Sequence, residues 1–303
     1  MRVYTHPDCL QHEPGAGHPE APARLAAVLQ ALHVGLPQLQ WFEAPLASNA
    51  QIARVHSDEM IFQVLASPAG EYVRIDADTV LSPGSAAAAL RASGAGVAAV
   101  DAVMSGRIDR AFCAVRPPGH HATADAAMGF CLFNNIAVAA AHALAEHDLQ
   151  RVAIVDFDVH HGNGTQDIFE REPRVLYVSS HQAPLYPGTG ASDETGVGNV
   201  VNAPLPPGAG SAVFRSAWND RLLPALDAFA PQLLLVSAGF DGHRLDPLAD
   251  LGLVADDYRW LSTRLAEVSV RHAQGRIVSF LEGGYSLTAL RECSVAHLAG
   301  LGA

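Results

Sequence analysis

The chain has 303 residues, with nineteen basic and thirty-one acidic side chains and a formal net charge of −12, and every basic residue is arginine. Without lysine there is no P-loop lysine for a phosphate, no Schiff-base lysine for pyridoxal phosphate and no Ser-Lys dyad. An apolar fraction of 49% and a charged fraction of 17% describe a folded globular chain, and the acidic balance argues against a dedicated nucleic-acid binder.

Short apolar runs alternate with longer helical patterns along the chain. A strand at Arg2–Tyr4 precedes helices at Ala21–Leu32 and Ser85–Met104. The strand Ala111–Val115 leads to a helix at Asn134–Glu146, and strands Val152–Phe157 and Val175–Ser179 lead to a helix at Ala212–Phe229. The strand Leu233–Ser237, the helix Asp256–His272, the strand Ile277–Leu281 and the helix Leu287–Leu298 complete the pattern. Runs nearly continuous in Val, Ile and Leu suit strands buried on both faces of a parallel sheet. The alternation predicts one α/β/α sandwich over residues 1–303. The Pro/Gly-rich stretches Arg116–Gly119, Pro184–Gly190 and Ala203–Gly210 read as loops at strand ends.

Cys9, Cys113, Cys131 and Cys293 form no CxxC pair, so a zinc ribbon or dithiol motif is not expected. The N-terminal MRVYTHPDCL lacks the basic-then-apolar signature of a signal peptide. No run of about twenty apolar residues stands out as a membrane span. The expectation is a cytoplasmic protein without membrane contact.

In an open parallel sheet, ligands bind beyond the carboxyl ends of the strands, and the unusual residues follow the apolar runs. After Ala111–Val115 comes RPPGHHA, whose His120 and His121 can serve as two ligands or as an acid and a base. Within VAIVDFDVHH, an extended strand would turn Asp156, Asp158 and His160 to one face. Two carboxylates and an imidazole there are costly to bury unless they are paired or bind a cation, and Asp158 with His160 at i, i+2 can both reach one metal ion, their oxygen and nitrogen donors suiting zinc and also iron or cobalt. In AGFDGHRLDP, either Asp241 or Asp246 offers a third ligand, leaving a position open for water. The final strand ends in LEGGYS, where Gly283 and Gly284 allow close backbone approach and Tyr285 can donate to a developing oxyanion.

Taken in order, RPPGHHA, GFCLFNNIAVAA, DFDVHHGNGTQDIF, YPGTG, SAGFDGHRLDPLA and LEGGY resemble the histone deacetylase family, most closely its class II and bacterial amidohydrolase-like branch. The likeness runs from about His18 to Leu298. It implies an arginase-deacetylase fold with a mainly parallel sheet of about eight strands and zinc-dependent removal of acyl groups from amines. It further implies zinc on Asp158, His160 and Asp246, paired catalytic histidines His120 and His121 supported by Asp156 and Asn163, and a transition-state tyrosine at Tyr285. Gly129, Phe130, Tyr186, Leu248, Gly283 and Gly284 match the substrate channel. Asp156, Asp158, His160, Ser179 and Ser180 match a potassium site, and Phe169 and Val175 match part of a second one.

Asn163, where class I members carry a carboxylate, should leave His121 less basic. Leu248 looks like the lysine-deacetylase version of a position that is a cation-gating Glu in the polyamine-selective eukaryotic member. The expected substrate is an acyl amine, acetyl-lysine in a peptide first and acetylpolyamine second, for a protein expected as a homodimer. A ureohydrolase on the same fold needs two metal ions, and HHGN after Asp158 supplies no further carboxylate for a second. A non-catalytic acyl-lysine binding module is the remaining rival, although every expected catalytic position is filled.

Overall fold

The computed structural model describes residues 1–66 and 70–303. Eight strands form its central sheet: β1 (Arg2–Thr5), β2 (Gln40–Glu43), β3 (Arg110–Cys113), β4 (Val152–Asp156), β5 (Val175–Gln182), β6 (Val200–Leu205), β7 (Leu233–Ala238) and β8 (Ile277–Leu281). Their order is β2-β1-β3-β8-β7-β4-β5-β6, with every pairing parallel. Strands β4, β5, β7 and β8 are buried along their whole length, as their apolar composition requires. Each fully buried Leu, Ile or Val contributes about 1.5–3 kcal/mol. Truncating wholly buried Leu235 to alanine should cost about 2–5 kcal/mol.

Helices flank the sheet. Pro22–Gly35, Ala255–His272 and Leu287–Gly300 pack as one group, and Ser85–Met104 packs on Asn135–Glu146. Two of these helices start beside the loops that carry the unusual residues. The Asn134 side chain caps Asn135–Glu146 by accepting the Ala137 N–H, and Ser286, directly after Tyr285, caps Leu287–Gly300 by accepting the Ala289 N–H.

Several expectations need correction. The edge strands β2 and β6 escaped the sequence reading. The first is largely exposed and has no apolar run. The second takes in Ala203–Leu205, expected as loop, and carries Pro204, which an edge strand tolerates. The single helix expected at Ala212–Phe229 is Ser211–Ala217, a π-helical turn at Trp218–Leu222, and Leu223–Phe229. Pro224 lacks the N–H that a regular α-turn would use there.

Ser85–Met104 is long and apolar enough to cross a membrane by composition, with mean hydropathy 1.3. It is nevertheless mostly buried against its neighbours inside the protein. Finally, β4 stops at Asp156 rather than continuing through Phe157. Asp156 Oδ1 accepts the Asp158 N–H (3.1 Å) and Asp158 Oδ1 accepts the His160 N–H (2.9 Å). These side-chain-to-backbone turns bend the chain out of the extended conformation.

Candidate active site

The loops after β3, β4, β7 and β8 meet at the carboxyl end of the sheet. Strand register makes this unavoidable: Asp156 pairs with Ser237 of β7 and Ser179 of β5, and Phe280 pairs with Ser237 and with Cys113 of β3. Whatever follows these residues must converge.

After β3, His120 and His121 stand with ring centroids 4.0 Å apart. His120 Nδ1 donates to Asp156 Oδ2 (3.0 Å), which also accepts the Tyr177 hydroxyl (3.1 Å). His121 Nδ1 donates to Asn163 Oδ1 (2.8 Å), which leaves its Nε2 lone pair free toward the cavity. The two rings differ sharply in basicity. Burial would depress His120, but Asp156 and Asp158 overcome it and lift the ring to about 10. For His121, burial and then the neighbouring His120 and His160 act together, pushing it well below its ordinary value. One ring is held charged and the other neutral.

After β4, His160 Nδ1 lies 3.2 Å from Asp158 Oδ1 and 3.3 Å from Asp241 Oδ2. Ligand atoms of Asp158, His160 and Asp241 fall within 4.8 Å of one another. Asp246 is buried beside them. Its Oδ2 accepts the N–H groups of Tyr285 (2.7 Å) and Ser286 (3.3 Å), and its Oδ1 accepts that of Leu248 (3.0 Å).

Three observations show that this set suits a cation. Asp241 Oδ2 is buried without a hydrogen bond among the described residues. Burial and then Asp241 raise the Asp246 carboxyl to about 7. Burial would lower His160, but the surrounding carboxylates raise it to about 10, so the site holds a positive charge at that nitrogen. The donors are oxygen and imidazole nitrogen, the chemistry of zinc and related divalent ions.

A cavity of about 210 Å³ opens onto this cluster. Gly129, Phe130, Tyr186 and Leu248 line it, with His121, His160 and Tyr285 around it. Gly129 has φ +55°, and an added Cβ would come within 2.6 Å of the His121 ring, so the wall and the histidine are in van der Waals register only with glycine there. Phe130 has φ 68°, a rare conformation for a residue with a side chain. Its ring lies edge-on to Tyr285 at 5.8 Å.

Gly283 and Gly284 do not line the cavity. Gly283 donates its N–H to Asp158 Oδ2 (2.8 Å) and would bring a Cβ within 2.0 Å of Asp241 Oδ2. The Gly284 carbonyl accepts from Arg24 Nε (2.6 Å).

Ser179 and Ser180 are buried at the end of β5, their hydroxyls engaged by His181 Nδ1 (2.9 Å) and Trp218 Nε1 (3.1 Å). The carbonyls of Phe169 and Val175, with that of Glu172, converge on the Asn199 amide nitrogen at 2.7, 2.9 and 3.1 Å.

The sequence reading missed Asp78, Leu185, Arg24 and Glu282. Asp78 and Leu185 line the cavity, yet a lone Asp in a short loop carries no signal. Arg24 is buried with its guanidinium 4.8 Å from the Tyr285 ring centroid. A charged residue inside the helix expected at Ala21–Leu32 was the available hint. Glu282 sits inside LEGGY, between residues already singled out.

A second cluster, Asp101 with His142 and His147, lies outside the site. There Arg54 donates to His142 Nδ1 (2.8 Å), which puts the proton on Nε2, facing Asp101 Oδ1 (2.8 Å). It is a hydrogen-bonded network linking helices.

Comparison with known proteins agrees with this architecture. The histone deacetylase domain profile matches residues 18–301. The chain is 42% identical to the histone deacetylase-like amidohydrolase of Pseudomonas aeruginosa, covering 95% of this chain and 77% of that one. It is 38% identical to a probable deacetylase of Archaeoglobus fulgidus, over 94% of this chain and 81% of the other. The crystal structure of the HDA15 HD domain superposes with a TM-score of 0.94 at 36% identity, covering 99% of this chain and 88% of that one.

Proposed function

The chain belongs to the histone deacetylase family, and from that premise we propose that it is a zinc-dependent deacetylase acting on N-acetyl-lysine in proteins or peptides. The observation that carries the reading is the split histidine pair beside the Asp158–His160 cluster at the foot of a narrow cavity.

The third zinc ligand in this reading is Asp246. Asp241 is wholly enclosed, whereas Asp246 keeps slight exposure, and its neighbours Leu248 and Tyr285, whose N–H groups it accepts, line the cavity. Zinc held by Asp158, His160 and Asp246 would supply Lewis-acid polarisation of the acyl carbonyl and of the attacking water. His121, neutral and oriented by Asn163, takes the proton from that water through Nε2. His120, charged and paired with Asp156, steadies negative charge and can return a proton to the departing amine. The Tyr285 hydroxyl donates to the oxyanion. Gly129, Phe130, Tyr186 and Leu248 form a sleeve around the aliphatic stem of the substrate. Potassium on Asp156, Asp158, His160, Ser179 and Ser180 belongs to the same proposal as a structural ion.

Asp78 at the cavity supports a second reading, an acetylpolyamine amidohydrolase, because a carboxylate there also favours a cationic amine. Turnover of an acetyl-lysine peptide, acetylputrescine and acetylspermidine on zinc-loaded enzyme separates the two. The peptide should be the best substrate. A clear preference for either polyamine would transfer the assignment.

A further inference from the structure

The turn that carries His120 and His121 leaves β3 through Arg116, Pro117, Pro118 and Gly119. Its outer side is held by Asn135, whose Nδ2 donates to the Pro117 carbonyl (3.1 Å). Its inner side presents two successive backbone N–H groups, those of Gly119 and His120, toward the sheet. Successive N–H groups of this kind make an anion-binding concavity. Buried N–H groups left unmatched are destabilising.

One carboxylate fills that concavity. Glu282 Oε2 accepts the Gly119 N–H at 2.7 Å and the His120 N–H at 3.3 Å. Its Oε1 accepts the Ser237 hydroxyl at 3.1 Å. Gly119, Glu282 and Ser237 come from β3 or its loop, the residue after β8, and β7, three adjacent strands of the sheet. Glu282 therefore ties the histidine turn to the two strands whose loops carry Tyr285, Asp241 and Asp246. It is 1% exposed and faces no part of the cavity.

We propose that Glu282 is a positioning residue for the reaction: its carboxylate fixes the backbone of Gly119 and His120, and so sets where both histidines stand relative to the cluster on the neighbouring loops. It does not touch substrate. The inference rests on the deacetylase reading above, because only that reading gives the histidines a substrate to meet.

Three variants test it. Glu282→Ala removes the tether. Glu282→Gln keeps it, since the amide oxygen can accept both N–H groups and the amide nitrogen can donate to Ser237. Ser237→Ala loosens one end. The expected result is a fall in kcat of about 10- to 100-fold for Glu282→Ala with KM and zinc content little changed, because a displacement of about 1 Å at reacting groups costs rate rather than binding. Glu282→Gln should recover activity to within about threefold of wild type, and Ser237→Ala should fall between. Amide hydrogen exchange at Gly119 and His120 should quicken in Glu282→Ala and stay slow in Glu282→Gln, a readout independent of turnover.

Wild-type kcat in Glu282→Ala would overturn the proposal. So would a Glu282→Gln variant as damaged as Glu282→Ala, which would make the charge and not the tether the active feature. If Glu282→Ala does not fold, exchange and kcat in Glu282→Gln and Ser237→Ala decide by the same criteria. A wild-type enzyme inert on every acyl amine would instead sink the deacetylase reading, while the exchange comparison would still stand or fall on its own.

Discussion

Single atoms decide the chemistry at this site. Both histidines are buried side by side, yet Asp156 and Asp158 lift His120 against its burial, while burial and then the neighbouring His120 and His160 push His121 down. That difference is what the proposed acid and base roles require. In the proposed mechanism Tyr285 acts through its hydroxyl alone, so Tyr285→Phe should retain zinc and lose about 10²- to 10³-fold in kcat. Full activity in that variant would remove the oxyanion role. The choice between Asp241 and Asp246 is also an atomic question. Asp246→Asn should lose zinc on dialysis, measured by metal analysis, while Asp241→Asn should retain more of it. The opposite ranking would move the third ligand to Asp241.

At the scale of elements, the turns after the strands matter more than the strands themselves. The buried strands were legible because a parallel sheet demands continuous apolar runs, and Val152–Asp156 and Leu233–Ala238 satisfy that demand. The motifs that follow them were legible because polar residues after such runs have few other reasons to be there. What sequence could not show is contact between distant segments. Glu282 meets Gly119 across 163 residues of chain, and Asp78 reaches the cavity from a loop with no periodicity. Asp156, Asp158 and His160 are brought together by Asx-type turns and not, as the alternation suggests, by an extended strand. Asn199 illustrates the same blindness: nothing in GVGNVVN announces an amide that gathers three carbonyls. Asn199→Ala should remove this shared donor and destabilise the fold by about 1–3 kcal/mol. An unchanged melting temperature would show that water replaces the amide without cost.

At the scale of the molecule, the fold stores neutral histidines in its interior. Burial lowers His56 and His181 to about 4 and His297 to about 3. Above pH 6.5, the ordinary value for these rings, folded and unfolded chains both hold them neutral and pH has no effect through them. Below it the unfolded chain takes up protons that the folded chain refuses, so stability falls as pH drops toward 3–4, by up to about 1.4 kcal/mol per pH unit for each ring. Melting temperature should therefore decline between pH 6.5 and 4, and His297→Gln, which removes one proton acceptor, should shallow the decline. Equal slopes in the two proteins would show that His297 takes no part. The same architecture aligns four loops over one cluster, which we propose works as a single-metal hydrolytic site. The most direct measurement is acetate release from an acetyl-lysine peptide while metal-free protein is titrated with zinc. Activity should rise from near zero and saturate at one zinc per chain. Activity that needs two metals per chain, or none at any zinc level on any acyl amine, would overturn the proposal.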